Sequence, residues 1–215
     1  MIELAIKTIV SYLLGSVMGS LIVGRVRGID IRELGSGNAG STNALRTQGR
    51  LFALSVMLID VGKGWLATRA VPQIVLPLEP APSAVHNWLP AACGAAAMLG
   101  HVYPLWYGLR GGKAVATLLG AILGLAPRVL LPVLLAWLAA LVLFGFVSVA
   151  SITAALTLPI SVLAEGLAWR TPLLTFGVFA ALLVTFTHRA NLRRLRAGRE
   201  PRAQRLWLWG RRAPS

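Results

Sequence analysis

Val129-Leu-Leu-Pro-Val-Leu-Leu-Ala-Trp-Leu-Ala-Ala-Leu-Val-Leu-Phe-Gly-Phe-Val147 contains no charged side chain. Its length approaches the roughly 20 residues that a helix needs to cross the hydrocarbon core of a bilayer. Water is absent there, so the backbone groups of such a run must bond to one another, and a helix does this within a single segment. Comparable apolar runs stand at residues 2–24, 51–71, 88–107, 114–126, 148–163 and 172–187. The 114–126 run is short for a crossing. Together they predict an all-α integral membrane protein, one domain over residues 1–215, with about seven transmembrane helices.

The totals agree. Of 215 residues 56% are hydrophobic and only 13% charged, with a mean hydropathy of +0.72. The first run is read as a retained span rather than a signal peptide, because Lys7 sits inside it and further spans follow. The formal charge of +14 first suggests nucleic acid. The basic residues sit in a few loops and the tail, however, so membrane lipid is the expected partner and nucleic acid is not. Arg25, Arg27, Arg32, Arg46 and Arg50 follow the first span, Arg110 and Lys113 follow the third, and the tail from His188 is strongly basic. Arg69, Arg128 and Arg170 mark the other side. With seven spans this excess places the N-terminus outside and the C-terminus in the cytoplasm. Glu79 is the single charge in the Pro-rich loop 72–87. Cys93 is alone, which excludes an internal disulfide and a cysteine metal site.

Three polar segments interrupt this pattern, at 33–50, 100–117 and 188–200. The first reads E-L-G-S-G-N-A-G-S-T-N-A-L-R-T-Q-G-R. Its glycines let a backbone approach a ligand closely, Ser, Thr and Asn offer neutral hydrogen bonds, and Arg46 and Arg50 offer forked cations suited to phosphate. In the second, Gly111-Gly112-Lys113 before a helix is a possible anion cradle, with N–H groups at the helix start and a point charge beside them. The alternative is a glycine turn with an interfacial lysine. His101 is either a base or a buried histidine bonded to a backbone carbonyl. In the third, a helix would put His188, Asn191 and Leu195 on one face. Asp60 and Lys63 are three apart on the second span and can pair, as a functional site or as a structural ion pair. Ser148 and Ser151 either line a polar site or pack helices.

Several chemistries are excluded by spacing. Neither Ser36 nor Ser41 has the flanking glycines of a nucleophile elbow. Three histidines and seven acids, mostly scattered, predict no metal site. Five positions after His86, His101 and His188 stand Ala91, Trp106 and Arg193, so no His-x4-Asp box is present. The segments are rich in phosphate binders and poor in general bases. That suits a substrate with a good leaving group, such as an acyl phosphate attacked by an alcohol, whose departing phosphate takes the proton.

In order along the chain, the segments resemble the bacterial acyl-phosphate:glycerol-3-phosphate acyltransferase family. Residues 36–46 are similar to S-G-N-x-G-A-T-N-x-x-R, with Ser41 for alanine. Residues 100–113 are similar to G-H-x-F-P plus G-G-K-G, with Tyr103 for Phe and Ala114 for the last glycine. Residues 188–200 are similar to H-R-x-N-I-x-R-L-x-x-G-x-E, with Leu192 for Ile. The D-V-G-K-G run at 60–64 also resembles the family. The resemblance implies a bacterial inner-membrane acyltransferase of phospholipid synthesis with its site facing the cytoplasm. It would transfer an acyl group from acyl phosphate to the 1-position of glycerol 3-phosphate, giving lysophosphatidic acid, without a cofactor, next to an acyl-phosphate-producing enzyme. It implies catalytic roles for Ser36, Arg46, Lys113, His188 and Asn191. Substrate contacts fall to Gly37, Asn38, Thr42, Asn43, His101, Gly111, Gly112, Ser151 and Lys63, and Glu200 is structural. Ala114 carries a Cβ where the family pattern has none, and a Cβ limits the use of positive φ. A transporter and a structural lipid-binding scaffold are the competing readings. Polar segments gathered on one face disfavour the first, and the second leaves the Gly/Asn/Ser pattern without purpose.

Overall fold

Glycines set how closely the helices of the first half approach one another. Helix α1 (Ile2–Gly15) packs along α6 (Leu89–Val102), and α4 (Arg50–Arg69) along α7 (Val115–Leu125). A Cβ on Gly15 would overlap the Ala97 carbonyl, and one on Gly100 the Tyr12 carbonyl. Gly64 and Gly120 stand in the same way against the carbonyls of Thr117 and Val61. Small residues at such seams let backbones meet where apolar side chains gain little from leaving lipid.

The computed structural model describes residues 1–78, 82–166, 172–204 and 206–210, and no strand occurs among them. The chain forms two compact units, residues 1–127 and 128–215. In the first unit, α2 (Gly19–Val26) follows α1 after a 43° break. A single span over 2–24 was expected. The helix instead stops at Gly15, and Met18 is extended (φ −95, ψ 108). The loop beyond α2 holds a 3-10 turn at Ile31–Glu33 and helix α3 (Ser41–Gln48), which ends where Gly49 takes φ 86. A cluster of Met18, Leu21, Ile31, Ala39, Ala44, Phe52, Ala53 and Val56 anchors this loop to α2 and α4. The 72–87 stretch carries α5 (Ser83–His86), and Glu79 lies outside the described residues. The third span, expected at 88–107, is helical only to Val102. Pro104 lacks an N–H and disfavours helix at Tyr103, so the chain turns into the 3-10 segment Leu105–Tyr107.

The second unit begins with the hairpin of α8 (Leu130–Phe144) and α9 (Val147–Ala164), joined through Gly145 at φ 76. Helix α10 (Pro172–Thr187) packs on α9, and α11 (Arg189–Arg196) follows after a 53° bend. The tail then returns to the end of α8. Ala203 N–H donates to the Gly145 carbonyl (2.7 Å), Leu208 N–H to the Val142 carbonyl (2.9 Å), and the Trp207 indole to the Leu143 carbonyl (3.2 Å). These are carbonyls that a helix end leaves without partners. Of the expected turn at 165–171 only Glu165 and Gly166 are described, and Arg170, Arg205, Arg211 and Arg212 lie outside the described residues.

Among the described residues three segments are long and apolar enough to cross a membrane, Arg50–Gln73, Pro127–Phe144 and Val147–Ala164, or up to five if each bent pair is one span. The expectation of seven is therefore not met by single long helices. Helices α6 and α7 have 14 and 11 residues, about 21 and 17 Å at 1.5 Å per residue.

Candidate active site

The first polar segment closes on Asn43. The chain reverses through Gly35 and Gly37 at φ 58 and 71. From the first turn of α3 the buried Asn43 reaches back to the reversal. Its Oδ1 accepts the Ser36 N–H at 3.0 Å, and its amide donates to the carbonyls of Leu34 (3.0 Å) and Ile31 (3.2 Å). A Cβ on Gly35 would overlap that Oδ1, so both the backbone hand and the space call for glycine. Ser36 is thereby held exposed, with Gly37 exposed beside it and Asn38 and Thr42 half-buried. Arg46 is exposed on the last turn of α3. The sequence suggests a substrate contact for Asn43; the structure gives its amide the work of fixing the loop.

Arg32 joins the first and second segments, which sequence reasoning missed. It pairs with Asp30 at 2.6 Å, and its Nη1 donates to the carbonyls of Tyr107 (3.0 Å) and Arg110 (3.4 Å). The hydrogen bonds from Arg32 hold the Asp30 carboxyl below its ordinary value despite partial burial, and the Asp30 carboxylate raises Arg32. The signal was local: Asp30 caps the 3-10 turn by accepting the Arg32 N–H at 2.9 Å.

The glycines of the second segment are explained by packing. Gly111 and Gly112 fold back over the end of α6 and donate their N–H groups to the carbonyls of Val102 (3.2 Å) and His101 (3.0 Å). The expected cradle has these N–H groups facing an anion; the fold turns them onto protein. A Cβ on Gly112 would overlap His101 Nε2. Lys113 stands half-buried just ahead of α7, where a helix start favours an anion. His101 is buried. Its Nδ1 lies 3.6 Å from Asp60 Oδ1, and Lys63 Nζ lies 2.9 Å from the same oxygen. Lys63 also donates to the Val17 carbonyl at 2.7 Å.

The third segment belongs to the second unit and gathers on Glu200. Asn191 donates to its Oε1 at 2.6 Å, Ser148 to the same oxygen at 2.9 Å, and Arg194 to Oε2 at 2.8 Å. Burial alone would raise the Glu200 pKa, but these three donors hold it below the ordinary value. Ser151 instead bonds the Val147 carbonyl of its own helix at 2.9 Å. His188 and Asn191 are buried on one side of the α10–α11 bend, with His188 Nδ1 2.8 Å from the Val184 carbonyl. A carbonyl only accepts, so Nδ1 is the donor in that contact.

Fold and loops define a class: an all-helical protein with membrane-length apolar helices and glycine- and arginine-bearing loops suited to a phosphate ester. The family model described as glycerol-3-phosphate acyltransferase matches residues 5–198. The glycerol-3-phosphate acyltransferase of Synechococcus sp. (strain CC9902) is 43% identical over 192 residues, covering 89% of this chain and 90% of that protein. That of Chlorobaculum tepidum is 40% identical over 219 residues, covering 90% and 94%. The crystal structure of PlsY (YgiH), an integral membrane glycerol 3-phosphate acyltransferase in its glycerol 3-phosphate form, matches with a TM-score of 0.82 at 34% identity, covering 93% of this chain and 94% of that one. Its lysophosphatidic acid form gives 0.80 at 33%. The chain belongs to the glycerol-3-phosphate acyltransferase family and is an acyltransferase.

Proposed function

We propose that this chain, as an integral membrane protein, transfers a fatty acyl group from acyl phosphate to the 1-position of glycerol 3-phosphate. The products are lysophosphatidic acid and inorganic phosphate. The observation that carries the reading is the loop clipped by Asn43, which presents Ser36 one short helix away from Arg46. The similarity to a structure in a glycerol 3-phosphate form supports the acceptor. The lack of a His-x4-Asp box supports a donor that is already activated.

In this mechanism the acceptor's 1-oxygen attacks the acyl carbonyl carbon, an ester C–O bond forms, and the bond from acyl carbon to phosphate oxygen breaks. The hydroxyl proton leaves with the departing phosphate. Arg46 and Lys113 neutralise phosphate charge, Ser36 aligns a phosphate or the acceptor hydroxyl by hydrogen bonding, and His188 and Asn191 complete the catalytic set. Gly37, Asn38 and Thr42 lie beside the substrate, while Asn43, His101, Gly111, Gly112, Lys63 and Ser151 hold the surrounding structure. Residues 1–215 act as one domain in the bacterial inner membrane. It crosses seven times with the N-terminus outside and the site facing the cytoplasm, where an acyl-phosphate-producing enzyme supplies the donor.

The test is turnover by purified protein with glycerol 3-phosphate and palmitoyl phosphate, with palmitoyl-CoA in parallel. Turnover with the acyl phosphate is expected; turnover with the thioester alone, or with neither donor, overturns the reading. In the same assay Arg46→Ala and Lys113→Ala should each lower kcat/KM about a hundredfold or more. Wild-type kinetics in either variant would remove that residue from the site.

A further inference from the structure

We infer that Asp60 is a positioning residue. With Lys63 it holds open the break between α1 and α2 and orients the His101 ring, and the ring and the break together seat the loop that carries Gly111, Gly112 and Lys113. This rests on the proposal that the loop serves glycerol 3-phosphate.

The break itself makes the case. A continuous helix over residues 2–26 would satisfy its backbone with no buried charge. Instead the Gly19 N–H at the start of α2 donates to Asp60 Oδ1 (3.3 Å), and the Val17 carbonyl beyond the end of α1 accepts from Lys63 (2.7 Å). The anion therefore stands at a helix N-terminus and the cation beyond a helix C-terminus, each at the end whose partial charge it offsets. Asp60, Lys63 and His101 are 1%, 3% and 2% exposed. Burying a carboxylate and an ammonium is costly, and an apolar pair would serve stability as well or better. The charges therefore point to a geometry worth keeping.

That geometry is where the second polar segment rests. At the end of α1 the Ser16 hydroxyl accepts the Leu105 N–H (3.3 Å), and the Tyr12 hydroxyl donates to the Tyr103 carbonyl (2.6 Å). The far end of the loop sits on His101, whose carbonyl accepts the Gly112 N–H and whose Nε2 occupies the space a Gly112 side chain would need. The connection also has slack. Asp60 Oδ2 and His101 Nδ1 are buried with no hydrogen-bond partner among the described residues, and Nδ1 is 3.6 Å from Oδ1. A ring shift of a few tenths of an ångström toward Asp60 would make a hydrogen bond.

The experiment uses the full chain in two arms. In the first, Asp60→Asn/Lys63→Met removes both charges, so that no lone buried ion remains to unfold the protein. Expected are a thermal midpoint close to wild type, a KM for glycerol 3-phosphate raised about tenfold, and kcat and the donor KM changed less than about threefold. In the second, Gly112→Ala is measured with His101 and with His101→Ala. A penalty on the glycerol 3-phosphate KM of about tenfold with the ring present should fall below about threefold without it. A wild-type KM in the neutral pair, or equal Gly112→Ala penalties in both backgrounds, overturns the inference. Calorimetric binding of glycerol 3-phosphate without donor separates the two readings. If wild type binds but does not turn over palmitoyl phosphate, the donor assignment fails and the binding constants replace KM in both arms. No binding at all overturns both.

Discussion

Leu109 and Ala114, five positions apart, share a left-handed backbone at φ 58 and 60. A Cβ in that conformation costs about 1–2 kcal/mol, while a glycine costs about 0.4–1 kcal/mol through the freer unfolded chain. At exposed Leu109 strain dominates, so Leu109→Gly should raise stability by about 0.5–1 kcal/mol. Ala114 is fully buried, and losing its methyl costs about a further 0.8 kcal/mol, so Ala114→Gly should change stability by less than about 0.5 kcal/mol. Thermal unfolding in detergent distinguishes them, and a destabilised Leu109→Gly would refute the argument. Ala114 was visible in the sequence as a Cβ against the family pattern; Leu109 was not, because nothing in its neighbours marks its φ. Asn43 shows the opposite failure. Its residue type suits a ligand, and only the return of the 31–36 backbone reveals that its amide is already engaged.

Elements were legible where sequence signals are local. The apolar runs at 114–126, 148–163 and 172–187 form the helices Val115–Leu125, Val147–Ala164 and Pro172–Thr187, of which Val147–Ala164 is by itself long and apolar enough to cross a membrane. The α1–α2 break was not legible, because the groups that hold it lie on α4. The 188–200 segment is expected to be strongly basic, with His188 and Asn191 on one face and Glu200 structural; what the sequence does not show is that the tail beyond it caps α8 and is pinned through Glu200. That pin titrates. The native Glu200 pKa lies below its ordinary value of 4.5, so its contribution is complete above that value and is lost as pH falls through the native one. Hydrogen exchange of the 199–210 backbone, corrected for intrinsic rates, should show protection steady from pH 7 to about 5 and falling below about 4.5. In Glu200→Gln protection should be weaker at neutral pH and should lose this acid step. The same acid step in both proteins would show that Glu200 does not hold the tail.

At the scale of the whole molecule the sharpest expectation is sidedness. Seven crossings put the loop around Ser83 outside and the tail inside, following the excess of Lys and Arg. In a Cys93→Ala background, Ser83→Cys should react with a membrane-impermeant maleimide on intact cells. Ala197→Cys should react only after permeabilisation. Both positions are exposed. Labelling from the same side would overturn the odd number of spans, and α6 or α7 would be the first to reconsider, being too short to cross unaided.

By itself the sequence determined the class of the protein. Backbone groups in a bilayer must bond locally, so hydropathy reads out helices, and the three ordered motifs carry the family. Only the tertiary structure decided which polar groups are engaged by the protein itself. Arg32 finds the Tyr107 carbonyl across 75 positions and Asp60 finds the Gly19 N–H across 41. Such bonds depend on how helices pack at glycine seams, and residue type alone does not distinguish an arginine that binds phosphate from one that ties two loops together.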